Sequence, residues 1–146
     1  MRPTSKSVLL ILTLLGGLYA GIASAFIGLS GSWDGITQHC TGGGENLRCR
    51  VTGVFIATNP GDEPAPRSVL RFFLSEDDTL DESDLLLNER HLKALSPGKS
   101  KDLTARLKLP KGQLGTGLFV IGQLDAENDV PEENEDNNLV VSRPIP

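Results

Sequence analysis

The side chains most able to do chemistry are carboxylates in one segment near the end of the chain, residues 125–138. Half of its fourteen residues are Asp or Glu, and it contains neither Lys nor Arg. Carboxylates held this close repel one another, and a divalent cation relieves the repulsion because calcium prefers oxygen ligands. Calcium is thus the one cofactor that the sequence suggests, with oxygen ligands drawn from Asp125, Asn128, Asp129, Glu132 and Glu135. The alternative is a solvated turn that spreads its charges into water and keeps the sheet edges soluble.

Residues 76–84 form a second acidic segment. Together, the two segments contain 13 of the 19 acidic residues of the chain. Its Asp77, Thr79, Asp81 and Asp84 have the spacing of the first part of an EF-hand loop. The Gly at the sixth position and the Glu at the twelfth are missing, and Asn88 stands at the twelfth. A true EF-hand is therefore excluded, which leaves an irregular cation site or a solvated turn.

The only two cysteines, Cys40 and Cys49, enclose three consecutive glycines. An even number of cysteines in an exported chain predicts a disulfide. The ring that it closes is worth about 2.5–3 kcal/mol of stability in the loop-entropy model.

Catalytic motifs are missing from the sequence. It has no Gly-x-Ser-x-Gly and only two histidines, and aromatic residues make up 5% of the chain, too few for the platforms of sugar enzymes. We expect a protein that is not an enzyme, with a small secreted hydrolase as a distant alternative.

The first 25 residues have the form of a signal peptide. Arg2 and Lys6 precede an uncharged run, and Ala23-Ser24-Ala25 is a small-x-small cleavage site, so we expect the mature chain to start at Phe26. An uncleaved membrane anchor is the alternative, because residues 8–29 carry no charge and are long enough to span a bilayer. Residues 26–146 then form a single domain that is exported to the periplasm, the cell surface or the medium.

Removal of the signal peptide leaves 19 acids against 12 bases, a net charge of −7 with His neutral. This balance argues against nucleic acids and anionic membrane surfaces as partners, since both need a basic face. We also expect no membrane insertion after cleavage.

Several segments alternate as strands do. In residues 48–58 the side chains of Cys49, Val51, Phe55 and Ala57 share one phase, and residues 70–75 and 103–109 also alternate. With the region of Trp33 and Ile36 and apolar runs at 118–124 and 139–141, the pattern indicates a sandwich of about seven strands. Residues 81–95 are the exception, because their helix formers, early acids and following Pro97-Gly98 predict a helix by propensity.

The chain resembles the CARDB (cell adhesion related, bacterial) family over residues 48–142. The marks are, in order, Asn59 and Gly61, Phe72-Phe73-Leu74-Ser75, the segment 95–100, Leu109-Pro110, Gly117-Leu118-Phe119, and the acidic pattern of 125–138. Phe119 replaces the usual Tyr, and Asn59-Pro60-Gly61 replaces a more usual Asn-Thr-Gly.

The resemblance implies an all-β fold, an immunoglobulin-like antiparallel sandwich of about seven strands, with the two acidic segments at opposite ends. In place of the helix it implies a short strand at 85–87, a further segment through Leu92, and a type II turn at 96–99. The implied function is a non-enzymatic binding or adhesion-type module whose partner is a protein or polysaccharide of the cell envelope. The alternative is a structural envelope module that assembles with a partner protein through a sheet edge.

Overall fold

The computed structural model describes residues 25–146, which form two packed antiparallel sheets. The strands are β1 (Ser30–Thr41), β2 (Arg48–Thr58), β3 (Ser68–Ser75), β4 (Leu85–Leu92), β5 (Ser100–Lys108), β6 (Phe119–Gln123) and β7 (Leu139–Val141), with a 3-10 turn at Gly44–Asn46. One sheet has the order β1-β2-β5 and the other β4-β3-β6-β7. The predicted immunoglobulin-like sandwich of seven strands is confirmed.

The alternation in β2 builds the centre of the three-stranded sheet. Val51, Phe55 and Ala57 are fully buried on the inner face, while Arg48 and Arg50 are exposed on the outer face. β5 follows the same rule, since Leu103, Ala105 and Leu107 point inward between exposed polar residues. Each strand thus has one face for the core and one for solvent.

Three aromatic rings join the two sheets in the core. The ring centroids of Trp33, Phe55 and Phe72 lie 5.1 to 5.5 Å apart, and Phe55 stands edge-on to both of the others. Gly122 makes room for this cluster, because a Cβ atom there would lie 2.6 Å from Phe55 Cε2. Aromatic pairs in this geometry add about 0.5–1.5 kcal/mol each beyond the burial of their surface.

The prediction of a helix over residues 81–95, which rests on propensity, is wrong. The segment forms β4, a continuous edge strand paired with β3 from Ser68↔Leu92 to Leu74↔Leu85. The strand at 85–87 and the segment through Leu92 that the family resemblance implies are therefore confirmed, and together they form the single strand β4. The turn beyond β4 is also as expected, since Lys99 N–H donates to Ser96 O at 3.1 Å and Gly98 has φ +66°.

The predicted disulfide is confirmed and joins the end of β1 to the start of β2. Cys40 and Cys49 face each other in the ladder with their Cα atoms 4.1 Å apart.

The register places the two acidic segments at opposite ends of the sandwich. Ser75 pairs with Phe119 and Arg71 with Gln123, so the segment after β3 and the segment after β6 leave the sheet in opposite directions. Residues 76–84 line a cleft together with Gln113 and Leu118 of the loop 109–118. The same loop bonds to the disulfide hairpin through Leu109 N–H to Cys49 O, so both lie at one end. We call this the disulfide end. Residues 125–138 lie at the other end.

The predicted signal peptide, and most of the alternative anchor, lie outside the described residues. Among residues 25–146, no helix has the length and apolar character needed to cross a bilayer.

Candidate cation site

The acidic segment after β6 is a loop closed at its neck. The backbone N–H of Leu124 donates to Asn138 O at 2.8 Å, which holds the two ends of the loop together. Asp125 and Asn128 have φ values of +43° and +54° and turn the chain back, with Asn128 N–H donating to Asp125 O at 2.8 Å. Asp and Asn tolerate this left-handed region better than most residues, which explains why they stand here.

Asp125 is the buried anchor of the loop, with 5% of its surface exposed. Its Oδ1 accepts from the backbone N–H of Asp129 at 3.1 Å, and its Oδ2 accepts from that of Val130 at 2.9 Å. Val130 is itself buried in the core. The carboxylate therefore has a structural task, and each of its oxygens keeps a lone pair for a further ligand.

Asn138 links the next two carboxylates. Its Nδ2 donates to Glu132 Oε2 at 2.8 Å and to Glu135 Oε2 at 3.2 Å, while Glu135 Oε1 accepts from the backbone N–H of Glu132 at 3.0 Å. These bonds turn Glu132 and Glu135 toward Asp125. One carboxylate oxygen from each of the three residues lies within 4.8 Å of the other two.

The site also contains buried oxygens that accept no hydrogen bond. Four buried side-chain oxygens of residues 25–146 have no hydrogen-bond partner, and three belong to this loop: Glu132 Oε1, Asn137 Oδ1 and Asn138 Oδ1. A buried acceptor without a donor costs about 1–3 kcal/mol. Oxygens that lack donors and sit beside clustered carboxylates are suited to a hard cation.

The pKa of Glu132 also shows that its negative charge is poorly compensated. Burial raises the pKa of its carboxyl above the usual value, and the negative charges of Glu135 and Asp125 act in the same direction. The hydrogen bond from Asn138 and the nearby backbone N–H of Leu29 lower the pKa and offset only part of this. The ionised form of Glu132 is thus disfavoured by its surroundings, and a nearby positive charge would favour it.

The start of the domain packs against this loop. The backbone N–H of Glu133 donates to Ile27 O at 3.2 Å, and Phe26 N–H donates to Asp62 Oδ1 at 2.6 Å. Phe26 O accepts from the N–H groups of Asp62 and Glu63, both at 3.1 Å. Residues 26–28 are therefore held between the acidic loop and the loop after β2.

Three of the five predicted ligands, Asp125, Glu132 and Glu135, come together in the structure. Asn128 and Asp129 form the turn before them, and the Asp129 carboxylate lies outside the group. Asn137 and Asn138, whose amide oxygens are buried without a hydrogen-bond partner, were not among the predicted ligands. Their signal was the side-chain type, since amide oxygens are ordinary calcium ligands.

The carboxylates of residues 76–84 bond to their own loop instead. Asp77 Oδ1 accepts from Thr79 N–H at 2.8 Å, Asp84 Oδ2 from Asp81 N–H at 2.9 Å, and Asp81 Oδ1 from Ser83 N–H at 2.7 Å. Hydrogen bonds from Ser83 lower the pKa of Asp81. Among the described residues, these three Asp do not form a group of converging ligands.

The model of the CARDB family matches residues 44–142. The crystal structure of the CARDB domain of a Pyrococcus furiosus protein, in complex with di-metal ions, superposes with a TM-score of 0.56 at 22% identity, over 81% of this chain and 91% of that one. The solution structure of the same domain gives a TM-score of 0.54 at 21% identity, over 81% and 93%. A β-glucosidase from Kluyveromyces marxianus matches with a TM-score of 0.49 at 14% identity, over 80% of this chain and 13% of the enzyme. No curated protein matches the sequence.

Proposed function

This chain belongs to the CARDB family, and we propose that it is an exported, non-enzymatic binding module of the cell envelope in which the loop 125–138 holds a divalent cation. The adhesion-related character comes from the family. The cation, the export and the envelope partner, a protein or a polysaccharide, are the further content of the proposal.

The observation that carries the cation proposal is the pairing of converging carboxylates with buried oxygens that have no donor. Asp125, Glu132 and Glu135 bring three carboxylates together, and one of their oxygens, Glu132 Oε1, is unpaired, as are two amide oxygens of the loop. Every candidate ligand is a carboxylate or amide oxygen, which favours calcium over zinc, because zinc prefers His and Cys. Calcium takes six to eight oxygens, and three carboxylates that bind in a bidentate manner can supply up to six of them.

The Pyrococcus furiosus domain in complex with di-metal ions is consistent with cation binding in this fold. The ligands proposed here are residues of this chain and rest on its own geometry.

A cation at this position would be structural. Its two positive charges would offset most of the negative charge of the three carboxylates. It would also stiffen the loop, whose Glu133 N–H donates to Ile27 O. The loop and the start of the domain would then form one rigid end of the module.

Calorimetric titration tests the proposal. Calcium added to chelator-treated protein should bind with a measurable heat and a stoichiometry of one or two, and Glu135→Gln should weaken binding at least tenfold. Glu82→Gln in the other acidic segment is the matched control, since it removes the same charge from an exposed position. No heat with the unaltered protein, or equal effects of the two substitutions, would reject the cation site.

Export is tested separately. The disulfide favours an oxidising compartment. N-terminal sequencing of protein recovered from periplasm or medium should give Phe26, and recovery of the intact chain from the membrane fraction would favour the anchor instead.

One observation favours the alternative function, assembly through a sheet edge. β4 is an edge strand, and Leu85 and Leu86 on it are 43% and 48% exposed. Exposed apolar edge strands are templates for pairing with another chain. Leu86→Lys should abolish such an assembly and leave calcium binding unchanged.

A further inference from the structure

The outer face of the sheet β1-β2-β5 carries a cluster of basic side chains near the disulfide. Its members come from three strands and are all exposed: His39, Arg48, Arg50, Arg106 and Lys108. We call this cluster the basic face. It stands out because the chain as a whole is acidic, with a formal net charge of −5.

The strand register brings these residues together. His39, Arg50 and Lys108 lie side by side in one row across the three strands. The next row has Arg106 opposite Thr52, and the row on the other side has Arg48 opposite Thr41. Neighbouring strands are about 4.8 Å apart and alternate residues along a strand about 6.7 Å apart, so the four cationic side chains and His39 form a compact patch.

In the described part of the chain, no acid lies in the strand rows of the basic face. The outer-face acids Asp34 and Asp102 lie in other rows, opposite Val54 and Ile56. Among residues 25–146, the ion pairs are those of Arg71 with Glu89 and Glu127, on the other sheet. Like charges directly opposite in a sheet are destabilising, and Arg50 and Lys108 are such a pair. The arrangement costs stability unless an anionic partner offsets it.

The basic face is also concave and rigid. A cleft of about 530 Å³ opens between His39, Arg48, Arg50 and Lys108. The disulfide through Cys49 ties β1 to β2 directly beneath it. Binding groups held on paired strands next to a covalent cross-link lose little freedom when a ligand arrives.

We propose that the basic face binds an acidic polysaccharide through its carboxylate groups. Arg side chains pair with carboxylates by two parallel hydrogen bonds, and a linear polymer with one carboxylate on each sugar can follow the row of charges. The outer-face positions of β2 and β5 contain no aromatic residue, which argues against neutral sugars and single-stranded nucleic acids, since both stack on aromatic rings.

The position of the acidic segment 76–84 favours a narrow polymer over a broad anionic surface as the partner. Residues 76–84 carry six carboxylates at the same end of the sandwich. A broad anionic surface, such as a bilayer or a DNA duplex, would approach these carboxylates as it met the basic face and would be repelled. A single flexible chain can contact the basic face and avoid them.

The test is binding to polygalacturonate at low salt in the presence of EDTA. EDTA removes calcium, which both the polymer and the loop 125–138 could otherwise bind. The unaltered protein should bind, with an affinity that falls linearly on a log scale as salt rises. Arg50→Gln with Lys108→Gln should weaken binding at least about tenfold, because two charge-assisted contacts are lost. Lys93→Gln with Lys99→Gln, exposed at the other end, removes the same charge and should leave binding within about twofold.

Melting temperatures of both double variants should equal or exceed that of the unaltered protein. Weaker binding then cannot be attributed to unfolding of the variant. Dextran, a neutral polymer, should not bind. The proposal is wrong if polygalacturonate does not bind, or if the two double variants weaken it equally. It is also wrong if duplex DNA or anionic vesicles bind as tightly, or if the protein instead self-associates at low salt through its own acidic segments.

Discussion

Replacing Glu132 by Gln should change the stability of the protein in opposite directions with and without calcium. In chelator, Glu132 is a partly buried carboxylate beside two others, and its Oε1 has no donor. Gln removes the negative charge and replaces one carboxylate oxygen by an N–H donor. Removing one such unpaired acceptor is worth about 1 kcal/mol, or about 4 °C in melting temperature for a domain of this size.

Calcium should reverse the order of the two proteins. An ion that binds only the folded state, at one hundred times its dissociation constant, raises the free energy of unfolding by about 2.7 kcal/mol. With an unfolding entropy of about 2.1 cal/mol/K per residue, this raises the melting temperature by about 10 °C. Glu132→Gln loses a charged ligand and should gain little, so it should melt below the unaltered protein in calcium and above it in chelator.

The pH dependence supplies a second readout. The pKa of Glu132 is raised above 4.5 in the folded state, so the folded protein binds this proton more tightly than the unfolded chain does. The stability that this group contributes is full below its unfolded pKa and is lost as pH rises through the folded pKa. In chelator, the unaltered protein should therefore lose stability relative to Glu132→Gln as the pH rises above the ordinary pKa of a Glu carboxyl. Calcium should abolish that trend, since it favours the ionised carboxylate.

Thermal melts followed by circular dichroism, in millimolar calcium and in chelator at several pH values, measure all of this. Glu82→Gln is the matched control and should show neither effect. If Glu132→Gln keeps the same order relative to the unaltered protein in both buffers, the loop does not hold a cation through Glu132. Superimposable melts of the unaltered protein would leave the loop as a solvated turn.

Three further predictions concern the fold. Asp125→Ala should lower the free energy of unfolding by about 2–4 kcal/mol in chelator as well as in calcium, because the N–H groups of Asp129 and Val130 lose their acceptor. Denaturant unfolding measures this change, and a loss of stability seen only in calcium would contradict the anchoring role. Gly122→Ala should cost about 1–3 kcal/mol through its clash with Phe55, whereas Gly43→Ala, with open space around it, should change stability little; equal melting temperatures for the two variants would argue against the clash. Replacing Cys40 and Cys49 together by Ser should cost about 2–3 kcal/mol, and an unchanged mass under reductant would show that the native cysteines are not joined.

The amino-acid sequence determined the parts of this protein whose cause is local or repetitive. The alternation in β2 and β5 specified which residues face the core, because a strand turns successive side chains to opposite faces. Two cysteines flanking a glycine-rich turn specified their own partner. The acidic segment 125–138 was visible as charge density, and three of its carboxylates do converge.

Only the tertiary structure decided the features that depend on contacts between distant segments. Residues 85–92 have helix formers, but pairing with β3 and burial of Leu92 stabilise a strand more than helix propensity stabilises a helix. The role of Asn138 depends on the loop neck, which brings its amide to Glu132 and Glu135.

The basic face illustrates the limit of composition most clearly. A net charge of −7 for residues 26–146 argues that the protein as a whole repels polyanions. The strand register nevertheless places His39, Arg50 and Lys108 in one row, although they are distant in sequence. Net charge is a sum over the chain, whereas a partner meets the field of one face, and only the pairing of β1, β2 and β5 determines which charges share that face.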